Sequence, residues 1–207
     1  MYTDYWYPLY AFIRRRGYSP QQAEDIAQDF FTRLIEKHSL QGLKREGGKF
    51  RSFLLSSLEN FLANEWDRRH AQKRGAGVQP ISLDAEAGEI RFALESPDEA
   101  PPVYLFERQW AFTLLERVME RLRAECEAGG KRDLFLTLRP HLQGDHSGRP
   151  YAELAAQLQT SEGAIKVAVH RLRQRYGELL REEIARTVGS PVEVEDELRY
   201  LISVVGR

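Results

Sequence analysis

The chain has 207 residues, of which 42% are hydrophobic and 29% are charged, and its net charge at neutral pH is −1. This length allows one large or two small domains with buried cores, and the absence of a long apolar run excludes a membrane-spanning segment. The single cysteine, Cys126, excludes disulfides within the chain and a zinc site built on cysteines.

The charge is distributed unevenly along the chain. The net charge is +4 over residues 1–80, −5 over 81–110, +2 over 111–188 and −2 over 189–207. No segment carries the strong positive charge that drives tight non-specific binding to nucleic acid. Any DNA contact should therefore be local, with much of the affinity supplied by a second protein. The N-terminus shows no secretory signal, which predicts a cytoplasmic location.

Two amphipathic helices are predicted at the N-terminus. The first runs from about Trp6 to Arg16, with Pro8 tolerated only in its first turn. The second follows Ser19 and Pro20, which with a glutamine three residues after the serine make a helix-start signature. Its buried stripe consists of Ala23, Ile26, Ala27, Phe30, Leu34 and Ile35. Its outer face carries Glu24, Asp25, Gln28 and Asp29. This polar set is either a solvated face or a surface that docks another protein.

The segment from Lys49 to about Arg69 is predicted to be a long helix, broken between its two asparagines because these residues disfavour a helix interior. Its polar, aromatic and basic residues include Lys49, Arg51, Asn60, Phe61, Asn64, Trp66, Arg68 and Arg69. Aromatic rings beside cations can hold unstacked bases, and asparagine can bond base edges. The alternative is a core helix with a basic end. The preceding loop, 41–48, lacks the lysine and hydroxyl spacing of a phosphate-binding loop.

Residues 73–102 are predicted to form an acidic linker that contains proline and builds no compact core. Its apolar residues are too many for a free tether, and so the linker should lie along a surface. These residues are Ile81, Leu83, Ile90, Phe92 and Leu94.

Residues 103–188 are predicted to form a four-helix domain that binds DNA. Helices are expected over 103–127 and 131–142. The stretch from Pro150 to Tyr176 then reads as two helices joined by a tight turn, the second capped by Thr160 or Ser161. The first of this pair should bury Tyr151, Leu154, Ala155 and Leu158. The second should bury Ile165, Ala168, Val169, Leu172 and Tyr176.

The other face of that last helix carries basic and small residues. The candidates for DNA contact are Ser161, Glu162, Gly163, Lys166, His170, Arg171, Arg173 and Arg175. An apolar back, a short connection and a basic exposed face suit a helix that lies in the major groove. Gly163 costs the helix about 1 kcal/mol relative to alanine, and close approach to DNA would account for it. The alternative is a helical bundle with a solvated basic face.

The C-terminal extension, residues 189–207, is predicted to be an amphipathic helix. Acidic residues mark its start, and its stripe is Val194, Leu198, Leu201, Ile202 and Val205. Packing on the preceding domain is the simplest expectation. Masking the basic helix or docking a regulator is the alternative.

Three stretches resemble bacterial RNA polymerase sigma factors of the extracytoplasmic-function (ECF) group. Y-A-E-L-A and T-S-E-G-A-I-K with H-R-L-R resemble the helix-turn-helix that reads the promoter. F-R-S-F-L with E-W-D-R-R resembles the promoter-melting segment, with Asn60 and Arg68 in its asparagine and arginine positions. A-E-D-I-A-Q-D-F-F resembles the part that binds the clamp of the polymerase largest subunit. In the family the turn often holds glycine where this chain has Gln159, and a left-handed backbone there would strain glutamine.

The resemblance covers about residues 6–70 and 103–181. It implies an all-α sigma factor with an N-terminal helical domain (1–72), the linker and a C-terminal DNA-binding domain. Glu24, Asp25, Gln28 and Asp29 would recruit core RNA polymerase. The basic helix would read the upstream promoter element as duplex, and the region around Asn60 would hold a melted strand. Control by an anti-sigma factor or another regulator is left open, and the free chain is expected to be a monomer.

The sequence offers no nucleophile–base pair, metal-ligand cluster or phosphate loop, which predicts a protein that is not an enzyme and needs no cofactor. Two other interpretations stay open. One is a stand-alone helix-turn-helix regulator, which would bind paired half-sites without polymerase. The other is a helical adaptor that has lost DNA binding.

Overall fold

The computed structural model describes residues 2–36, 49–71, 83–94, 100–142 and 149–206, with the side chains of residues 2–4, 66–71, 83–86 and 94 left out. Every regular element in these ranges is an α-helix, which confirms the predicted all-α class. The predicted loop at 41–48 and the linker residues 73–82 and 95–99 lie outside them. The helices are α1 (Tyr2–Arg15), α2 (Pro20–Glu36), α3 (Phe50–Ala71), α4 (Leu83–Leu94), α5 (Pro102–Ala128), α6 (Arg132–Leu142), α7 (Tyr151–Gln157), α8 (Glu162–Ala185) and α9 (Pro191–Val205).

The chain divides into two compact units, and their boundaries differ from the predicted domains. The first unit combines Met1–Thr113 with Ala185–Arg207, and the second is Leu114–Ile184. Helix α4, the start of α5 and the C-terminal extension thus belong to the unit that contains α1. Local patterns of polarity identify the helices but not which helices share a core, because sharing depends on long-range packing.

Helix α1 is buried over most of its length and begins earlier than predicted. Tyr10, Phe12 and Ile13 are fully enclosed, as is Leu9 next to Pro8. The helix starts at Tyr2, which places Pro8 in its interior rather than its first turn. Tertiary burial of both flanks outweighs the loss of one backbone hydrogen bond, since packing supplies most of the stability of protein helices.

Helix α2 begins as predicted. The Ser19 backbone N–H donates to Gln22 Oε1 at 3.0 Å, and the Gln22 N–H donates to Ser19 Oγ at 3.3 Å, which forms a capping box. The predicted stripe is buried from Ala23 to Leu34, but Ile35 is exposed and was assigned to the core wrongly. It lies at the last turn of the helix.

Helix α3 runs without interruption, and the predicted break between Asn60 and Asn64 is wrong. Leu54, Leu58, Phe61 and Leu62 are buried on both sides of Asn60. This continuous buried stripe outweighs the modest preference of asparagine for turns.

Helix α4 occupies the segment predicted to be a linker without a core, and it packs against α1 and α2. A Cβ atom on Gly88 would lie 2.8 Å from Trp6 Cζ3, so only glycine permits this approach. Glu89 accepts hydrogen bonds from Tyr10 Oη at 2.6 Å and from Arg14 Nε at 2.8 Å. The bond from Arg14 lowers the pKa of Glu89. The expectation that this segment follows a surface is consistent with these contacts, but it does so as a helix.

Helix α9 is part of the first unit and not, as expected, of the preceding domain. Ser190 and Glu193 form a capping box at its start, and Pro191 occupies its first turn. Leu201 and Val204 are buried. Two hydrogen bonds join this region to others of the unit. The Phe50 N–H donates to Thr187 O at 2.9 Å, and Tyr104 Oη donates to Val204 O at 3.5 Å.

The second unit contains a small apolar core. Its buried members come from α6, α7 and α8 and are Leu138, Leu154, Ala155, Ile165 and Val169. Cys126 of α5 is also buried, and burial raises the pKa of its thiol. A thiol held in its neutral form is suited to packing rather than to reaction.

Candidate nucleic-acid interface

Helices α7 and α8 are joined by a four-residue turn with a defined backbone. The Thr160 N–H donates to Ala155 O at 2.9 Å, and the Gln159 N–H donates to Ala156 O at 3.3 Å. These bonds form a Schellman motif, which satisfies the last carbonyl groups of a helix. Gln159 has φ of 50°, in the left-handed region that favours glycine. The turn therefore has its tight geometry despite the missing glycine.

Ser161, and not Thr160, caps α8. Its Oγ accepts a hydrogen bond from the Ala164 N–H at 3.2 Å, and its carbonyl oxygen accepts one from the Ile165 N–H at 3.1 Å. In the first turn, Glu162 forms an ion pair with Lys166, with 2.7 Å between Glu162 Oε1 and Lys166 Nζ. Because Glu162 bonds Lys166, it raises the pKa of the lysine, which is exposed and stays charged.

The predicted apolar stripe of α8 is buried against α6 and α7. Ile165 and Val169 belong to the core of the second unit, and Ala168 and Leu172 pack against it. Tyr176 continues the stripe. Its hydroxyl donates to Leu115 O at 3.3 Å, and burial raises its pKa to about 12. This arrangement fixes which side of α8 faces outward.

The structure separates the predicted cations of α8 into two groups. Arg173 donates from Nε and Nη2 to His141 O at 3.2 and 2.7 Å and so satisfies the C-terminal end of α6. Arg175 pairs with Glu125 at 2.8 Å, which raises the pKa of Arg175 and lowers that of Glu125. Both arginines therefore contact groups of the second unit itself, and their predicted contact with DNA stays a prediction. His170 and Arg171 are exposed.

Helical geometry identifies the centre of the outward face. With about 3.6 residues per turn, the positions opposite Ile165 and Val169 are Gly163, Val167, His170 and Gln174. All four are exposed. Val167 and Gln174 were not among the residues predicted from the sequence, most of which are charged. The spacing from the buried stripe was the signal that identifies them.

A pocket of about 280 Å³ lies between α2 and α3 in the first unit. Its lining residues are Phe30, Arg33, Leu34, Phe53, Ser57, Asn60, Phe61 and Asn64. Asn60 and Asn64 are the only two asparagines of the sequence, and they are one helical turn apart in the lining of this pocket. The volume is close to the lower end of the range for small-ligand sites.

Aromatic and cationic groups line this pocket together with the asparagines. Phe61 is buried and meets the Phe30 ring edge-on, with 5.7 Å between centroids. The guanidinium carbon of Arg33 lies 4.9 Å from the Phe61 centroid, and Arg33 Nη2 lies 3.5 Å from Glu65 Oε1. An aromatic wall, an arginine and two amide side chains can accept a flat heterocycle and bond its edge. The asparagines and Phe61 were predicted from the sequence to hold a melted strand, whereas Phe30, Arg33, Phe53 and Ser57 were not.

Two other residues predicted to hold a melted strand, Lys49 and Arg51, bind carboxylates away from the pocket lining. Arg51 is buried and pairs with Glu197 at 3.1 Å and with Glu107. Burial alone would lower the pKa of Arg51, but its bonds to these carboxylates outweigh burial and raise it. Lys49 pairs with Glu197 at 2.8 Å. Both cations bind carboxylates because α9 packs in this unit, which the sequence pattern did not reveal. The side chains of Trp66, Arg68 and Arg69 lie outside the described residues.

One residue of the predicted outer face of α2 is not exposed. Glu24 is buried, contrary to its predicted outward position, and accepts a hydrogen bond from Gln28 Nε2 at 3.3 Å. Asp25, Gln28 and Asp29 are exposed. The exposed polar face therefore begins with Asp25 and is narrower than expected.

The fold of the described residues defines an all-α protein with two candidate sites, the outward face of α8 and the pocket between α2 and α3. Comparison of this chain with protein-family models, with curated proteins and with solved structures gives no match. Among the described helices, none has an apolar stretch long enough to traverse a bilayer. Within the same residues, no three or more His, Cys, Asp or Glu side chains are grouped to bind a metal ion.

Proposed function

We propose that this chain is a sigma factor of the ECF group, which directs core RNA polymerase to specific promoters and helps to melt them. The observation that carries the proposal is the pair α7–α8. A Schellman turn with left-handed Gln159, the Ser161 cap and a buried stripe on α8 together present an exposed helix face that carries Lys166, His170 and Arg171. This is the arrangement by which helix-turn-helix proteins bring a helix to the major groove.

The pocket between α2 and α3 supports the second half of the proposed activity. Melting a promoter leaves unstacked bases, and a protein that keeps strands apart must bind such bases. Asn60 and Asn64 can bond the edge of one base, and Phe61 with Arg33 can contact its ring. The pocket thus has groups for a single base outside a duplex, whereas the α8 face suits intact duplex.

The charge pattern supports a protein that binds DNA together with polymerase. Four of the cations predicted to contact DNA bind backbone or carboxylate groups of the chain itself, which reduces the number of these cations that can contact phosphates; they are Arg173, Arg175, Lys49 and Arg51. A protein with few phosphate contacts binds DNA weakly at physiological salt. Binding to core polymerase through the exposed Asp25, Gln28 and Asp29 would supply the missing affinity. Chemistry would belong to the polymerase, and the chain would act as its specificity subunit.

The decisive experiment combines the purified chain with core RNA polymerase and a library of promoter fragments. Formation of open complexes is measured by permanganate reactivity of unpaired thymines. The double variant Asn60→Ala/Asn64→Ala should retain polymerase binding and closed-complex formation but lose most open complex. Ser56→Ala, at an exposed position of the same helix, is the matched control and should behave as the wild type.

Other results would select the alternatives. Tight binding of the free chain to duplexes with paired half-sites, without polymerase, would identify a stand-alone regulator. Binding to polymerase or another protein without any DNA selectivity would identify an adaptor. Either result would contradict the sigma-factor proposal.

A further inference from the structure

The outward face of α8 contains an apolar strip between its polar residues. Val167 lies in the second turn of the helix, with 49% of its surface exposed. Gly163 lies one turn earlier and is also exposed. Because residues four apart lie above one another on a helix, these two positions share one strip of surface.

The fold of the second unit does not require glycine at 163. The nearest atom to a Cβ built at this position is Ser161 Oγ, at 3.9 Å. Alanine would therefore fit without a clash and would favour the helix. The effect of glycine is to leave an open notch in the surface, bounded on its C-terminal side by Val167.

Polar residues flank this notch. Lys166 and His170 lie on one side of the strip and Arg171 on the other, all exposed, and Lys166 Nζ also pairs with Glu162 Oε1 at 2.7 Å. In the major groove, the 5-methyl group of thymine projects between hydrogen-bond acceptors of neighbouring base edges. The first turns of a recognition helix are the part that approaches base edges most closely. An apolar notch flanked by donors matches that pattern of methyl and acceptors.

We propose that Gly163 and Val167 form a notch for the 5-methyl group of one thymine in the upstream promoter element, which makes Val167 a specificity-determining residue. This inference rests on the proposed function, because it assumes that the α8 face reads duplex DNA. It adds the kind of base that the face selects. It also gives a reason for an exposed valine and an unneeded glycine one turn apart.

The experiment removes only the methyl group from the DNA. A duplex with a randomised upstream element is selected with the full chain bound to core RNA polymerase. Each thymine of the selected element is then replaced singly by uracil, which lacks the methyl group. One replacement should weaken binding of the wild-type complex about three- to fivefold, the effect of burying one methyl group.

Two variants connect that thymine to the notch. Val167→Ala should bind the thymine and uracil duplexes equally, because the contact is lost. Gly163→Ala adds a methyl group within the notch and should bind the uracil duplex at least as tightly as the thymine duplex. Val192→Ala is the matched control, since Val192 is an exposed valine of α9 in the other unit, and it should keep the wild-type preference.

The possible results distinguish a failure of this inference from a failure of the proposed function. If a specific duplex is selected but no thymine shows the methyl effect, or if Val167→Ala retains the full effect, the inference is overturned and the sigma-factor proposal stands. If no duplex is selected at all, both are overturned.

Discussion

Arg51 and Glu197 form a buried ion pair across 146 residues of sequence, with Arg51 Nε 3.1 Å from Glu197 Oε1. The side chains are 5% and 2% exposed. The Arg51 guanidinium also pairs with Glu107 and lies 4.3 Å from the centroid of the Tyr200 ring. The pKa of Tyr200 is raised to about 12, mainly by burial and to a smaller extent by the hydrogen bond that its hydroxyl donates to Glu107. The C-terminal extension is thus joined to α3 and α5 within one unit.

Glu197→Gln should lower the free energy of unfolding of the first unit by about 3 kcal/mol, because it leaves a buried guanidinium without one of its carboxylates. All three tryptophans, Trp6, Trp66 and Trp110, belong to this unit, so urea unfolding followed by tryptophan fluorescence measures the effect. Asp196→Asn, which disrupts the exposed pair with Arg199, is the control and should cost less than about 0.5 kcal/mol. Equal costs for the two variants would contradict a structural role for the buried pair.

Replacement of either of two glutamines near the turn by glycine should change the free energy of unfolding, but in opposite directions. Gln159→Gly relieves the strain of a left-handed backbone and should stabilise the chain by about 0.5–1 kcal/mol after the gain in unfolded-state entropy is subtracted. Gln157→Gly, in the last turn of α7, should destabilise it by a similar amount, roughly 0.5–1 kcal/mol. Thermal unfolding followed by circular dichroism at 222 nm tests both. Changes of the same sign would show that the turn is not left-handed at Gln159.

The stability contributed by the contact between α4 and α1 should depend on pH, because Glu89 is titratable. Its pKa is lowered from the ordinary value of 4.5, because Arg14 bonds the ionised carboxylate. The contact therefore contributes stability that is complete above the ordinary pKa and is lost as pH falls through the lowered one. Glu89→Gln should reduce the unfolding free energy by about 1 kcal/mol at neutral pH, after allowance for partial exposure.

Urea titrations of the wild type and Glu89→Gln across the acid range test this dependence. The difference between the two proteins should persist down to the ordinary pKa and close below it. Glu59→Gln is the matched control, because Glu59 pairs with Arg16 at the surface at 2.9 Å. It should have little effect at any pH. A Glu89→Gln difference that is independent of pH would argue against the charge of Glu89 as the cause.

Two neighbouring arginines of α8 should separate stability from DNA binding. Arg173→Ala removes two hydrogen bonds to His141 O and should lower the unfolding free energy by roughly 1 kcal/mol. Arg171→Ala should leave stability within about 0.5 kcal/mol but weaken promoter binding by the polymerase complex about fivefold or more. Thermal unfolding and a salt-controlled binding titration give the two measurements. A binding loss confined to Arg173→Ala would reverse this assignment.

Much of the local structure could be predicted because it depends on neighbours in sequence. The capping box at Ser19 and the buried stripe of α8 each follow from residues within two helical turns. The two asparagines were predicted to act together because of their side-chain chemistry, but with a helix break between them. The uninterrupted α3 instead places them one turn apart on one helix.

The burial of particular charged residues could be decided only by the tertiary structure. Glu24, Arg51 and Arg173 were each predicted on the polar side of a helix. Arg51 contacts a carboxylate 146 residues away in the sequence, and Arg173 contacts a helix end 32 residues away, so folding decides the partners of both arginines. The sequence by itself determined the helices other than α4 and the buried stripe of α8. The packing of α4 and α9 into the first unit gave Arg14 and Arg51 their carboxylate partners, because a charge removed from water is costly unless it is paired.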